Sequence, residues 1–183
     1  MNIMTLYDGT TSGHHSLSDL CIRQVTRDDL QRLEWGGMFI HFRNVFWKSF
    51  VEQQFGDRHL LIAEVNAELI GRLFVLHRRS QLERPPKQRR GYLYSFYVLE
   101  PYRGLGIGSA LLRAAEAHLR QMSFHTAAIS VARTNHSALR LYRRHGYQIT
   151  GADSGEWSYL DHHDVLRKVT EPCYFLEKHL NVS

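Results

Sequence analysis

Three glycines at alternate positions, Gly104, Gly106 and Gly108, stand where an apolar, strand-like segment gives way to helical periodicity. Backbone without side chains can approach a ligand closely, and a helix opening there aims unpaired N–H groups and the positive end of its dipole at that ligand. Such a turn binds anions, phosphate above all. Arg103 at its mouth adds a charge-assisted contact. The chemistry of these residues therefore points to an anion, and a pyrophosphate fits it best. Two common nucleotide motifs fail on spacing. A G-x-G-x-x-G fingerprint would need glycine at Ser109 or at Leu111, with an acidic residue about 20 positions further on, and has neither. A P-loop needs Gly-Lys followed by Ser or Thr, whereas Ser109 and Ala110 follow Gly108. Taken alone, the turn could equally be close packing of a helix on a strand.

The other reactive side chains are less telling. Tyr142, on a short predicted helix, would by itself be a core or rim tyrosine. Glu64, Glu68, Tyr92 and Tyr94 are candidates for a general base, but each reads better as structural and none is singled out. Cys173 follows Pro172 on a predicted strand without a histidine partner, so it reads as core rather than nucleophile. The histidines occur as adjacent pairs, His14-His15 and His162-His163, and no two stand four apart on a predicted helix face. His162-His163-Asp164 is the best metal-like cluster and reads as a solvated loop, so no metal is expected.

The elements that must position these groups follow from periodicity. Residues 1–20 read as a flexible N-terminal tail and residues 21–183 as a single domain. A first strand starts at Cys21, a helix with Thr26 as N-cap follows, and an amphipathic helix spans Phe39 to Phe55. His59–Val65 and Glu68–His77 form a hairpin about Asn66-Ala67. A polar, basic loop with Pro85-Pro86 runs from Arg78 to Arg90 and leads to a buried central strand, Gly91–Leu99. After the glycine turn comes a helix with Gly108, Leu112, Ala115 and Leu119 on one face. Ala127–Ala132 is a strand and Asn135–His145 a helix, N-capped by Asn135 and ended by Gly146. Tyr147–Thr150 is a short strand, a polar segment with Trp157 and Tyr159 follows, and Cys173–Lys178 is the last strand. This order makes an α/β (α+β) fold around a mixed sheet.

Composition sets the frame. The formal charge of +5 suits an anionic ligand such as a coenzyme phosphate and is also compatible with weak nucleic-acid contact. Charge alone does not choose, but no aromatic stacking platform is recognisable, so nucleic acid is not the expected partner. No apolar run reaches the length of a membrane span, and the first residues lack the layout of a signal peptide. Cys21 and Cys173 read as reduced, buried thiols, and the expected location is cytoplasmic.

The run Val98-Leu99-Glu100-Pro101-Tyr102-Arg103-Gly104-Leu105-Gly106-Ile107-Gly108 resembles the acetyl-CoA signature of the GNAT (GCN5-related N-acetyltransferase) superfamily, R-x-x-G-x-G. Asn135-His136-Ser137-Ala138-Leu139-Arg140-Leu141-Tyr142, followed by Gly146-Tyr147, resembles its second motif, N-x-x-A-x-x-L-Y and then G-[FY]. The resemblance covers most of the chain. It implies a mixed sheet of about six to seven strands flanked by about four helices, and transfer of acetyl from acetyl-CoA to a primary amine by direct attack. The implied pyrophosphate site is Arg103, Gly104, Leu105, Gly106, Ile107, Gly108 and Ser109. The pantetheine arm would run along Tyr97 and Val98, with Asn135 beside it and the Val98 N–H as oxyanion contact. Tyr142 would protonate the departing thiolate. Acceptor contacts would come from Trp35–Phe55, the loop from Arg78 to Arg90, and above all Ser154–Glu171, with Glu156, Trp157, Tyr159, Asp161 and Asp164. The acceptor is a small-molecule or peptide amine. A catalytically silent acyl-CoA-binding sensor is the alternative, and nothing in the sequence decides whether the chain forms a homodimer.

Overall fold

The structure, a computed structural model, describes residues 19–78 and 89–181. Residues 1–18 of the expected tail, with the pair His14-His15, and residues 79–88 of the basic loop lie outside the described residues. Seven strands form one mixed sheet: β1 (Cys21–Gln24), β2 (Arg58–Val65), β3 (Glu68–Arg78), β4 (Arg90–Val98), β5 (Thr126–Ala132), β6 (Gln148–Asp153) and β9 (Cys173–His179), in the order β1-β2-β3-β4-β5-β9-β6. Only β4 and β5 pair in parallel, and the crossover between them is α2 (Ile107–Gln121). β7 (Glu156–Leu160) and β8 (Leu166–Thr170) make a separate antiparallel hairpin within the segment expected to be irregular. That hairpin is largely exposed, and its alternation is confined to Glu156-Trp157-Ser158-Tyr159 and does not continue in β8.

Two cores flank the sheet. On one face α2 buries Leu111, Leu112, Ala115 and Leu119 against β2, β3 and β4, each leucine contributing about 1.5–3 kcal/mol. Gly91 makes this approach possible: a Cβ there would stand 2.2 Å from Leu119 Cδ2. On the other face α1 (Arg43–Gln54) and the segment before it cover Leu60, Ile62 and Phe74 with Phe46 and Leu33. Gln53 ties α1 to the sheet, donating to the Val25 oxygen at 3.0 Å and accepting from the Leu60 N–H at 2.9 Å.

The helix expected after Thr26 is two single 3-10 turns, Arg27–Asp29 and Arg32–Glu34. Asp29 takes up the Thr26 N–H and hydroxyl, at 2.9 and 2.7 Å, together with Arg23 and Arg32. Gly36 and Gly37, both at positive φ, prevent any longer helix. The β2–β3 turn forms where expected, with Asn66 and Ala67 both left-handed, as a tight hairpin turn requires. Cys173 is buried on β9 as expected, but Cys21 is exposed, because β1 is an edge strand. Neither forms a disulfide. Among the described residues no helix is long and apolar enough to cross a membrane.

Candidate active site

β4 and β5 stay paired only from Arg90↔Thr126 to Leu93↔Ile129. Beyond Leu93 the register of β4 against β3 slips between Arg72 and Phe74, and Ser95 adopts φ +52. That bulge turns β4 away from β5, leaving the β5-facing edge of residues 94–98 without a strand partner. Arg72 holds the bulge from below. Its Nε donates to Ser95 Oγ at 3.0 Å and its NH1 to the Leu33 oxygen at 3.1 Å. Its guanidinium lies under the rings of Phe39, Trp35 and Phe46, and burial pushes its pKa down to about 9.

Two adjoining cavities open in the gap. The larger, about 570 Å³, is walled by β4, the glycine turn and α3 (His136–Arg144). The smaller, about 200 Å³, lies between Tyr94–Phe96 and Ile129–Ala132. Tyr97, Val98, Arg103, Gly104, Gly106, Gly108, Ser109, Asn135 and Tyr142 all line the larger one. Two residues of the expected set point elsewhere: Ile107 is buried in the core, and the Leu105 side chain is exposed outside the cavity wall. Neither side chain lines the cavity.

At the glycine turn Gly104 and Gly106 have φ +79 and +89, and a Cβ on either would meet no protein atom within 4 Å. The first intrahelical bond of α2 is Ala110 N–H to the Gly106 oxygen at 3.0 Å, which leaves the N–H groups of Ile107, Gly108 and Ser109 at its open end. Arg103 bridges this turn to β4, its Nε donating to the Val98 oxygen at 3.0 Å and its guanidinium resting over Tyr97. The Ser109 hydroxyl is engaged with His145 Nε2 at 2.9 Å. Arg140, Arg144 and Ser137 also line the cavity and were not anticipated. Their signal was present: positions 137, 140–141 and 144 share one face of a helix.

Asn135 caps α3, its Oδ1 accepting from Ala138 N–H at 3.1 Å and Ser137 Oγ at 3.0 Å, so only its amide NH₂ is left to face a ligand. Tyr142 lines both cavities and is otherwise 4% exposed, packed between Phe96 and Tyr147. Burial, and then the neighbouring Tyr92, push its pKa well above the ordinary tyrosine value, so the hydroxyl keeps its proton.

The candidate bases are committed elsewhere. Glu64 pairs with Arg23 and Arg32, Glu68 accepts the Tyr102 hydroxyl at 2.6 Å, Tyr92 donates to Ser130 Oγ and Tyr94 to Ser49 Oγ. The expected acceptor walls do meet: Phe42 lies 4.8 Å from Tyr159 and 6.2 Å from Trp157, ring centre to ring centre. Asp161 belongs to the scaffold rather than the mouth. Burial would raise its carboxyl, but Arg167 at 2.6 Å and the N–H groups of Val165 and His163 outweigh that and hold it at about 2. Asp164 accepts from Asn44 at 2.8 Å, while the His162 and His163 rings meet at a tilt, 3.9 Å between centres.

Residues 27–147 match the model of the acetyltransferase (GNAT) family. The catalytic subunit NAA10 of the N-terminal acetyltransferase A complex of Arabidopsis thaliana is 28% identical over 139 residues, covering 74% of this chain and 70% of that protein. An N-alpha-acetyltransferase of Sulfurisphaera tokodaii is 32% identical over 93 residues, 48% of this chain, which spans about half of that protein's length (54%). Among solved structures, the PaiA N-acetyltransferase of Thermoplasma acidophilum in complex with coenzyme A superposes with a TM-score of 0.67 at 17% identity, over 87% of this chain and 98% of that one. With both motifs on the walls of one groove and a matching family model over most of its length, the chain belongs to the acetyltransferase (GNAT) family, a family of N-acetyltransferases.

Proposed function

We propose that this N-acetyltransferase binds acetyl-CoA in the groove between β4 and β5 and passes its acetyl group directly to a primary amine. One observation carries the reading: the strands part just where the glycine turn opens α2, so a single groove joins an anion-binding helix end to the Tyr142 hydroxyl. The residues present fit the coenzyme. The N–H groups of Ile107, Gly108 and Ser109, with Arg103, would hold the pyrophosphate, and Arg140 and Arg144 add positive charge along the same wall. The unpartnered edge of residues 94–98 would pair with the pantetheine arm as an added strand, and the Asn135 amide would face it from α3. The coenzyme A bound by the Thermoplasma acidophilum neighbour supports the same ligand here. The Val98 N–H would polarise the thioester carbonyl and Tyr142, kept protonated by burial, would supply the proton to the departing sulfur. Phe42 and the β7–β8 hairpin, in ring contact with each other, would together form one wall of the acceptor's approach. Relatives named for N-terminal and N-alpha acetylation make a peptide α-amine the first acceptor to assay, with small-molecule amines next. Two cysteines outside any disulfide suit the reducing cytoplasm.

Calorimetric titration of acetyl-CoA and of desulfo-CoA into the wild type and into Gly106→Glu tests the site. Micromolar binding that the variant loses is the expected result, because a carboxylate would stand where the pyrophosphate lies. A wild type that binds neither compound overturns the reading.

A further inference from the structure

We propose that Glu171 receives the acceptor amine and takes its proton, a role that rests on the acetyl-transfer reading above. Attack requires the neutral amine, and an acceptor arriving as an ammonium ion needs a carboxylate near the thioester. Among the described residues, Glu171 is the one acidic residue lining either cavity, where it shares the smaller with Ser95, Ser130 and Tyr142. Its main chain is fixed: its N–H donates to the Gly155 oxygen at 3.1 Å, and the Arg133 N–H donates to the adjoining Pro172 oxygen at 2.9 Å. Gly155 packs so tightly there that a Cβ would fall 1.8 Å from the Glu171 oxygen. The carboxylate, by contrast, pairs with no described cation. Arg133, beside the adjoining Pro172, carries its guanidinium over the Tyr174 ring at 5.3 Å, and Arg167 is paired with Asp161. Glu34, Glu52, Glu64, Glu116 and Asp161 each pair with an arginine or lysine and line neither cavity.

The protons balance as follows. Glu171 takes one proton from the ammonium and sheds it to water. The nitrogen lone pair then attacks the thioester carbon, the C–S bond breaks as the amide forms, and Tyr142 protonates the sulfur. The second proton on nitrogen leaves as the adduct collapses and restores Tyr142.

The test uses Glu171→Gln and Glu171→Asp with acetyl-CoA and, as probe amines, tetrapeptides bearing a free α-amine and spermidine. In the glutamine variant kcat/KM for the acceptor falls about 100-fold at neutral pH. The deficit shrinks above the amine's own pKa, the aspartate variant recovers part of the rate, and the Kd for acetyl-CoA is unchanged. A glutamine variant within about threefold of wild type, or a deficit constant across pH, overturns the proposal alone, since the wild type would still transfer acetyl. A wild type that binds acetyl-CoA but acetylates none of the amines overturns the transfer reading and this role together.

Discussion

Gly106→Ala separates the conformational role of the glycine turn from its role in binding. Gly106 is the residue before α2, at φ +89, and a Cβ there would touch no protein atom within 4 Å. In the unliganded protein the substitution therefore costs only backbone strain, about 1–2 kcal/mol for an L-residue held in the left-handed region. For a chain of this size that lowers Tm by about 2–8 °C. The methyl group also stands in the groove, at the approach to the N–H groups of Ile107 and Gly108. Losing one charge-assisted bond to phosphate there removes about 1.5–3 kcal/mol, which weakens acetyl-CoA binding by about 10- to 150-fold. Gly108→Ala is the control for strain. Its φ is not left-handed and its Cβ would make ordinary contacts with Leu141 and Phe96 at 3.4 and 3.5 Å, so thermal stability should hold or rise by up to about 1 kcal/mol. Scanning calorimetry and isothermal titration read the two effects separately. A Gly106→Ala protein that melts earlier yet binds acetyl-CoA within about threefold of wild type refutes the pyrophosphate placement. Weakened binding at an unchanged Tm refutes the strain argument.

Tyr142→Phe should lower kcat by about 100-fold while leaving the Kd for acetyl-CoA nearly unchanged, as steady-state kinetics and calorimetry would show. Gly91→Ala should destabilise the fold by about 1–3 kcal/mol in urea denaturation, because Leu119 Cδ2 and Cδ1 stand 2.2 and 2.8 Å from the new methyl and neither β4 nor α2 can yield without repacking. His59, His77 and His118 form a ring cluster, with 59 stacked on 118 at 3.7 Å and 77 Nε2 lying 2.9 Å from 118 Nε2. Burial, followed by the mutual charge, pushes His59 and His118 down to about 4. Between that pH and the ordinary histidine value of about 6.5 the unfolded chain binds more protons, so stability is full above the upper limit and falls as pH drops through the window. Urea midpoints measured from pH 7 to pH 4 should decline, and His59→Gln with His118→Gln should flatten the decline; an unchanged slope would refute it.

Much of this was legible in the chain. The glycine turn, the helix face of Leu112, Ala115 and Leu119, the Asn135 cap and the Gly146 stop are local events, governed by backbone freedom and helical period, and each lies where its residues put it. The segment from Thr26 misled because a good cap does not make a helix: Gly36 and Gly37 end it, and Asp29 is drawn instead to Arg23 on β1. The β7–β8 hairpin gave only a short signal, the four alternating residues Glu156 to Tyr159, and its aromatic face packs on Phe42 far upstream.

The sequence by itself determined the strand–turn–helix that presents N–H groups to an anion and the helix that carries Tyr142, because both depend on residues adjacent along the chain. Only the tertiary structure decided that β4 bulges at Ser95 and leaves β5 after Leu93, since the bulge is held by Arg72 from another strand. It also decided which carboxylates are ion-paired and which acidic residue borders the groove. Ion pairs such as Arg23–Glu64 and Lys178–Glu116 join residues 41 and 62 positions apart, and no local pattern encodes such a separation.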